Sequence, residues 1–225
     1  MGINIVVLVA CFFVGGIPVG LLVARACGIA DIRKYGSGNI GASNVLRTVG
    51  VKAGLAVWLA DALKGGLPTW LAGVVLGAGG WWHAAAALMT VTGHCFSPYL
   101  GFKGGRGVAS SLGVLIGLDW RVGLVAFGIW LVVIFATRFI SLASIIGAAS
   151  ASVLYPAFVT GDDYSPALQV CVIALGLLVI IRHEPNIRRL LAGTESRIGQ
   201  KAKELDAPTS DDNLARVEQG EPADE

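Results

Sequence analysis

KYGSGNIGASNVLR, residues 34–47, contains the pattern G-x-G-x-x-G at Gly36, Gly38 and Gly41. In a soluble α/β domain that spacing marks a dinucleotide site. It needs a buried strand before the glycines, a helix after them, and an acid about 20 residues further on for the ribose. Asp61 stands at that offset. The flanks decide against the reading. Residues 3–24 form a charge-free apolar run, and residues 53–78 form another, interrupted only by Asp61 and Lys64. Each has the length of a membrane span, since ~20 apolar residues rising about 1.5 Å each cross a hydrocarbon core about 30 Å thick. Asp61 and Lys64 fall three residues apart on one helix face, where an ion pair is the natural reading.

The rest of the chain agrees. It is 55% hydrophobic and 14% charged, against roughly 25% charged in soluble domains, and too little polar side chain remains to cover a soluble surface. Further apolar runs cover residues 81–100, 107–118, 122–137, 139–160 and 166–182, which makes seven in all. The run 107–118 is short, and six spans is the alternative count. With seven spans and the N-terminus outside, 15 of the 17 Lys and Arg residues fall on the inner side. Arg121 falls outside and Lys64 within a span. That asymmetry fits the positive-inside rule. The expectation is an all-α integral membrane protein with seven transmembrane helices, its N-terminus outside and its C-terminus cytoplasmic. The membrane domain would span residues 1–198, and the polar segment 199–225 would be a disordered tail.

No Lys or Arg precedes Arg25, which argues against a secretory signal peptide. Cys11, Cys27, Cys95 and Cys171 are scattered and read as small apolar fillers. His94 and Cys95 are adjacent, so on a helix they point about 100° apart and do not pair on a metal. His83, beside Trp81 and Trp82, reads as an anchor at the membrane interface. Neither a metal nor a nucleic-acid partner is expected.

Three inner segments share one chemistry. The first is the opening stretch, with three glycines, two asparagines, two serines and Arg47. The second is FKGGRGVASS, residues 102–111, and the third is RHEPNIRRLLAGTE, residues 182–195. Glycines let backbone N–H groups converge on an anion, and a helix start adds a favourable field. A surface that only fixed topology would need the arginines but not the Gly, Ser, Asn and His. These segments therefore predict a site for one or more phosphates facing the cytoplasm.

With these motifs in hand, the sequence resembles the PlsY-type acyl-phosphate:glycerol-3-phosphate acyltransferases. The resemblance rests on GSGNIGASNVLR, DALKGGLP, GHCFSPYLGFKGGRGVAS, SLAS and HEPNIRRLLAGTE, in that order. It implies a seven-helix enzyme without cofactor that moves an acyl group from acyl phosphate to the 1-hydroxyl of glycerol 3-phosphate. The products would be lysophosphatidic acid and phosphate. It also implies a soluble acyl-phosphate synthase upstream, with membrane lipids around the enzyme. The implied catalytic residues are Ser37, Arg47, Lys103, His183 and Asn186. Substrate contacts would come from Gly36, Gly38, Asn39, Gly41 and Asn44 in the first segment, and from Gly104, Gly105, Arg106 and Gly107 in the second. Ser141 and Ser144 would add hydroxyls, and Glu195 would hold the third segment together through its arginines. Arg188 and Arg189 read as binding anionic lipid heads rather than substrate.

The second segment departs from the family's usual KGGKG, because Arg106 replaces its second Lys. A planar fork is not a point charge, so position 106 is expected to matter less surely than Lys103. The hydroxyl proton could go to His183 or to an oxygen of the acyl phosphate itself; the resemblance favours the second. Two rivals remain at this stage: an organophosphate transporter, and an acyltransferase using a thioester donor.

Overall fold

A computed structural model describes residues 1–200 and is built of helices. Helix α1 covers Gly2–Gly16 and α2 covers Val19–Ala26. The expected span 3–24 is therefore broken at Ile17–Pro18. The cause is local: proline lacks an N–H and pushes the residue before it out of the helical region, and Ile17 sits at φ −53°, ψ 120°. Helix α3 (Ala42–Thr48) follows the first glycine loop, and α4 (Val51–Leu76) is the longest element. Helix α5 (Trp81–Cys95) ends short of the expected residue 100, and a 3-10 turn, Pro98–Leu100, leads into the second loop. Helices α6 (Val108–Leu118) and α7 (Trp120–Thr137) are separated at Asp119, whose carboxylate accepts the Arg121 and Val122 amides and so caps α7. Then come α8 (Ile140–Phe158), α9 (Pro166–Arg182) and the short α10 (Glu184–Leu191), bent 57° away from α9.

Among the described residues, three stretches are long and apolar enough to cross a membrane singly: Gly2–Ala26, α7 and α8; the bent pair α9–α10 passes the same test together. Apolar side chains cover the outside, with Phe135 81% and Val153 73% exposed. Such a surface suits lipid rather than water. The interior is closed by small residues. Gly65 on α4 meets the Ser110 carbonyl of α6, and Gly113 on α6 meets the Ala62 carbonyl of α4, so tightly that a Cβ on either would collide. Close backbone approach of this kind is how helices associate in lipid, where apolar burial gives no advantage. It pins the N-terminus of α6 beside the middle of α4.

His83 is not at an exposed interface. It is buried, its Nε2 lies 3.0 Å from the Thr69 carbonyl, and its Nδ1 accepts the Gly79 amide at 3.2 Å, which ties α5 to α4. The expected tail lies mostly beyond residue 200, outside the described residues.

Candidate active site

The first glycine loop is folded from within. Gly36 and Gly38 adopt φ of 60° and 67°, the left-handed region where glycine is unstrained. Asn44, buried on α3, reaches back under the loop. Its Nδ2 donates toward the Ile32, Tyr35 and Asn39 carbonyls at 3.1, 2.9 and 2.8 Å, and its Oδ1 accepts the Ser37 amide at 3.0 Å. Asn39 Oδ1 accepts the Gly41 amide at 2.8 Å. With these bonds made, the loop presents the Ser37 hydroxyl, whose buried Oγ has no hydrogen-bond partner.

Arg47, at the end of α3, points into the same space. Its guanidinium donates to the Ser196 carbonyl at 3.3 Å and its buried Nε is unpartnered. The Ser141 Oγ at the start of α8 and the Asn186 Oδ1 on α10 are also buried without partners. All four atoms belong to residues lining one cavity of about 620 Å³. Unsatisfied buried polar atoms are few in native structures and each calls for an explanation. A fifth such atom at the cavity, Asp61 Oδ1, is ion-paired with Lys64; the other four point to a polar ligand.

The second loop contributes differently from expectation. Lys103 is exposed and does not line the cavity. The Gly104 and Gly105 amides are already donated, to the Cys95 and His94 carbonyls at 3.1 and 3.0 Å. Their own carbonyls accept Arg182 at 3.1 and 3.2 Å. The two glycines shape the loop, and their amides are not free to hold an anion. Arg106 and Gly107 do line the cavity, together with the first turn of α6, which has no side-chain cap. Its N–H groups and the helix field favour an anion there. Burial pushes Arg106 down to about 10, and neighbouring arginines act the same way, so it stays charged at neutral pH. Burial also lowers Arg47, with Glu195 opposing.

The third segment closes the floor. Glu195 accepts Asn186 Nδ2 and Arg189 Nε, both at 2.7 Å. Burial alone would raise Glu195, but the nearby Ser141 hydroxyl and the bonds from Asn186 and Arg189 outweigh it and hold the carboxylate below its usual range. That Ser141 proximity falls short of a well-formed hydrogen bond, and its Oγ stays open toward the cavity. Arg189 therefore belongs to the cavity wall rather than to a lipid-facing pair, while Arg188 turns outward to Glu184. His183, just past the end of α9, has its Nδ1 2.8 Å from the Val179 carbonyl. A carbonyl only accepts, so Nδ1 carries the proton and Nε2 is left as an acceptor. Burial holds His183 down at about 4, with Arg106 and Arg182 adding to it and the bond to Val179 opposing. The ring is neutral at pH 7.

Of the remaining expected contacts, Gly36, Asn39 and Gly41 line the cavity, while Gly38 and Asn44 do not. Asn44 is spent on the loop, and the Gly38 amide on the Tyr35 carbonyl at 3.0 Å. Ser144 lines the cavity, but its hydroxyl is spent: it donates to Ile140 O at 2.8 Å and accepts Trp130 Nε1 at 3.2 Å. The other end of the cavity is apolar. Trp58, Phe127 and Trp130 stand in a row, with ring centroids 5.5 and 5.6 Å apart, flanked by Leu55 and Leu131. Sequence reasoning missed this wall, since no local pattern separates an aromatic facing a cavity from one facing lipid.

One cavity thus joins a cationic, donor-rich end to an aromatic, apolar end. The model of a family described as glycerol-3-phosphate acyltransferase matches residues 5–193. The chain belongs to that family.

Relatives bearing the family's name include one from Mesorhizobium japonicum, 45% identical over 88% of this chain and 97% of its own length, and one from Geobacter sulfurreducens, 45% identical over 86% and 97%. Among solved structures, the glycerol 3-phosphate form of PlsY, an integral membrane glycerol 3-phosphate acyltransferase, superposes with a TM-score of 0.82. It is 38% identical and covers 87% of this chain and 96% of its own. The lysophosphatidic acid form superposes with a TM-score of 0.80 at 37% identity. The family match thus runs from the first helix through the first two loop segments and into the third, as far as residue 193.

Proposed function

We propose that this enzyme transfers a fatty acyl group from acyl phosphate to the 1-hydroxyl of glycerol 3-phosphate, giving lysophosphatidic acid and inorganic phosphate. The observation that carries the reading is the two-ended cavity. Four buried unpartnered polar atoms and three half-buried arginines gather at one end, and an aromatic wall stands at the other. A phosphorylated polar substrate and a fatty chain fit one each.

In this reading Arg106 and the α6 N-terminus take one phosphate, and Arg47 with the Ser37 hydroxyl takes the other. Asn186 and His183 Nε2 receive hydrogen bonds from the glycerol. The 1-hydroxyl oxygen attacks the acyl carbon. A new C–O ester bond forms, the bond from that carbon to the phosphate oxygen breaks, and phosphate leaves with the bonding pair. Acyl phosphate is a mixed anhydride with a good leaving group, so positioning and oxyanion stabilisation suffice. A ring held near 4 is a weak base at neutral pH. That favours a phosphate oxygen of the donor as proton acceptor, with His183 orienting the hydroxyl.

The same reading makes α1–α2, α4, α5, α6, α7, α8 and α9 seven spans, with the three loop segments at the cytoplasmic face of a bacterial inner membrane. The aromatic wall lets the chain enter from the bilayer, and a soluble acyl-phosphate synthase would supply the donor. The test is purified protein in detergent with glycerol 3-phosphate and either palmitoyl phosphate or palmitoyl-CoA. Lysophosphatidic acid from the phosphate alone is the expected result. Product from the thioester alone would reassign the donor, and product from neither would end the proposal.

A further inference from the structure

The buried Asp61–Lys64 pair has no part in the mechanism above. Both groups sit in α4 and both are buried, with Lys64 Nζ 2.8 Å from Asp61 Oδ1. Charges at this depth are costly, and a buried pair is weak evidence for stability, because apolar residues of similar size often do as well. The surroundings show what else the pair does.

Lys64 Nζ donates to the Ile17 carbonyl at 2.7 Å, at the break between α1 and α2. Ser97 Oγ takes the neighbouring Gly16 carbonyl at 2.6 Å. Together they fix where α2 begins. Helix α2 in turn carries Gly20, packed on the Ile40 carbonyl of the first loop so tightly that a Cβ would collide. On the other side, Asp61 Oδ1 packs 3.7 Å from His94 Nδ1, a buried contact longer than a hydrogen bond. The His94 carbonyl holds the Gly105 amide at 3.0 Å, and a Cβ on Gly105 would strike the His94 ring. The second loop therefore rests on His94. Ser110 Oγ is 3.2 Å from the same His94 Nδ1. Because serine and aspartate share one ring nitrogen, the trio cannot relay a proton from one to the other as a catalytic triad does.

We infer that the Asp61–Lys64 pair is a positioning unit that sets the first anion-binding loop against the second. Lysine reaches the first loop through Ile17 and α2; aspartate reaches the second through His94. Asp61 and His94 line the cavity while Lys64 does not, and in the acyl-transfer reading the pair acts by holding the loops rather than by handling the reacting atoms. The inference rests on the acyl-transfer reading, in which each loop holds one phosphate and their separation sets the distance from hydroxyl to acyl carbon. A misplacement of about 1 Å in such an arrangement costs on the order of 100-fold in rate.

The experiment is full kinetics of the double variant Asp61→Leu/Lys64→Met in detergent, normalised to folded monodisperse protein. Each loop keeps its own anion-binding groups, so KM for glycerol 3-phosphate and for palmitoyl phosphate should each change less than about threefold, while kcat falls roughly 10- to 100-fold. Unchanged kcat per folded molecule would overturn the inference and leave the pair a packing feature. A KM rise of more than about tenfold for one substrate with kcat intact would also overturn it, by making the pair a binding group. If the double variant does not fold, His94→Gln breaks the aspartate arm alone, and the same kcat-selective loss is expected; normal kcat there overturns the inference. Wild-type protein that forms no lysophosphatidic acid under these conditions fails the acyl-transfer reading itself, and the inference falls with it.

Discussion

Arg106 and Lys103 separate two meanings of a cation in a glycine loop. Both sit among glycines three residues apart, and the sequence ranks Lys103 above Arg106. In the fold Arg106 lines the cavity and Lys103 does not, because the Gly104 and Gly105 amides point back to α5 and the residues after them turn inward. Arg106→Ala removes a charge-assisted contact of about 2 kcal/mol, so KM for the substrate phosphate should rise roughly 30-fold. Lys103→Ala should leave steady-state kinetics within about threefold, as exposed charges do. Comparable losses in both variants would contradict the assignment. Which amides a loop keeps for itself is not written in its composition, and that is why this part of the site was illegible. Ser37, His183 and Asn186 were legible as cavity residues, because topology needs the arginines of these segments but not their Ser, His and Asn; Arg47 was marked out by the resemblance.

His183 carries a pH signature. Its folded value is held at about 4 by burial, below the roughly 6.5 of an unfolded imidazole. Between those values the unfolded chain binds the proton and the folded one does not. Stability from this group is therefore complete above about pH 6.5 and is lost as pH falls toward 4. His183→Gln should flatten the pH dependence of the thermal midpoint across that window, and imidazole NMR of the wild type should show no titration of this ring above pH 5.5. A ring titrating near 6.5 would restore it as a candidate general base.

At the scale of elements, the apolar runs gave α4 to α9 to within a few residues, since lipid demands long unbroken hydrophobicity. The break at Ile17–Pro18 was missed because the run is apolar on both sides of it. Ser97 and Lys64, far away in sequence, donate to the Gly16 and Ile17 carbonyls there, and Val19 N–H also donates to Ile17. The contact of α4 with α6 is the element-scale device that matters most, because it places the α6 N-terminus in the cavity. Gly65→Ala puts a methyl against the Ser110 carbonyl. Overpacking of this kind costs about 1 to 3 kcal/mol. The variant should show a lower thermal midpoint in detergent together with weaker phosphate binding. A lower midpoint with unchanged binding would mean that α6 keeps its place.

For the whole molecule, the account requires three segments, distant in sequence, to meet at one cytoplasmic mouth. Hydropathy and basic-residue counts suggest that arrangement, and the family match over residues 5–193 covers the bundle. The helical membrane class was legible because it is governed by one coarse quantity, apolar length. The aromatic wall was not, since it depends on which faces of α4 and α7 meet.

The most direct measurement replaces Ser37, Ser141 and Asn186 one at a time by cysteine in a background with the four native cysteines removed. Each variant is exposed to a membrane-impermeant maleimide in inside-out and right-side-out vesicles, with and without glycerol 3-phosphate. All three positions should label only in inside-out vesicles, and glycerol 3-phosphate should protect all three. Labelling of any one from the periplasmic side, or protection of one without the others, would contradict a single cytoplasmic site.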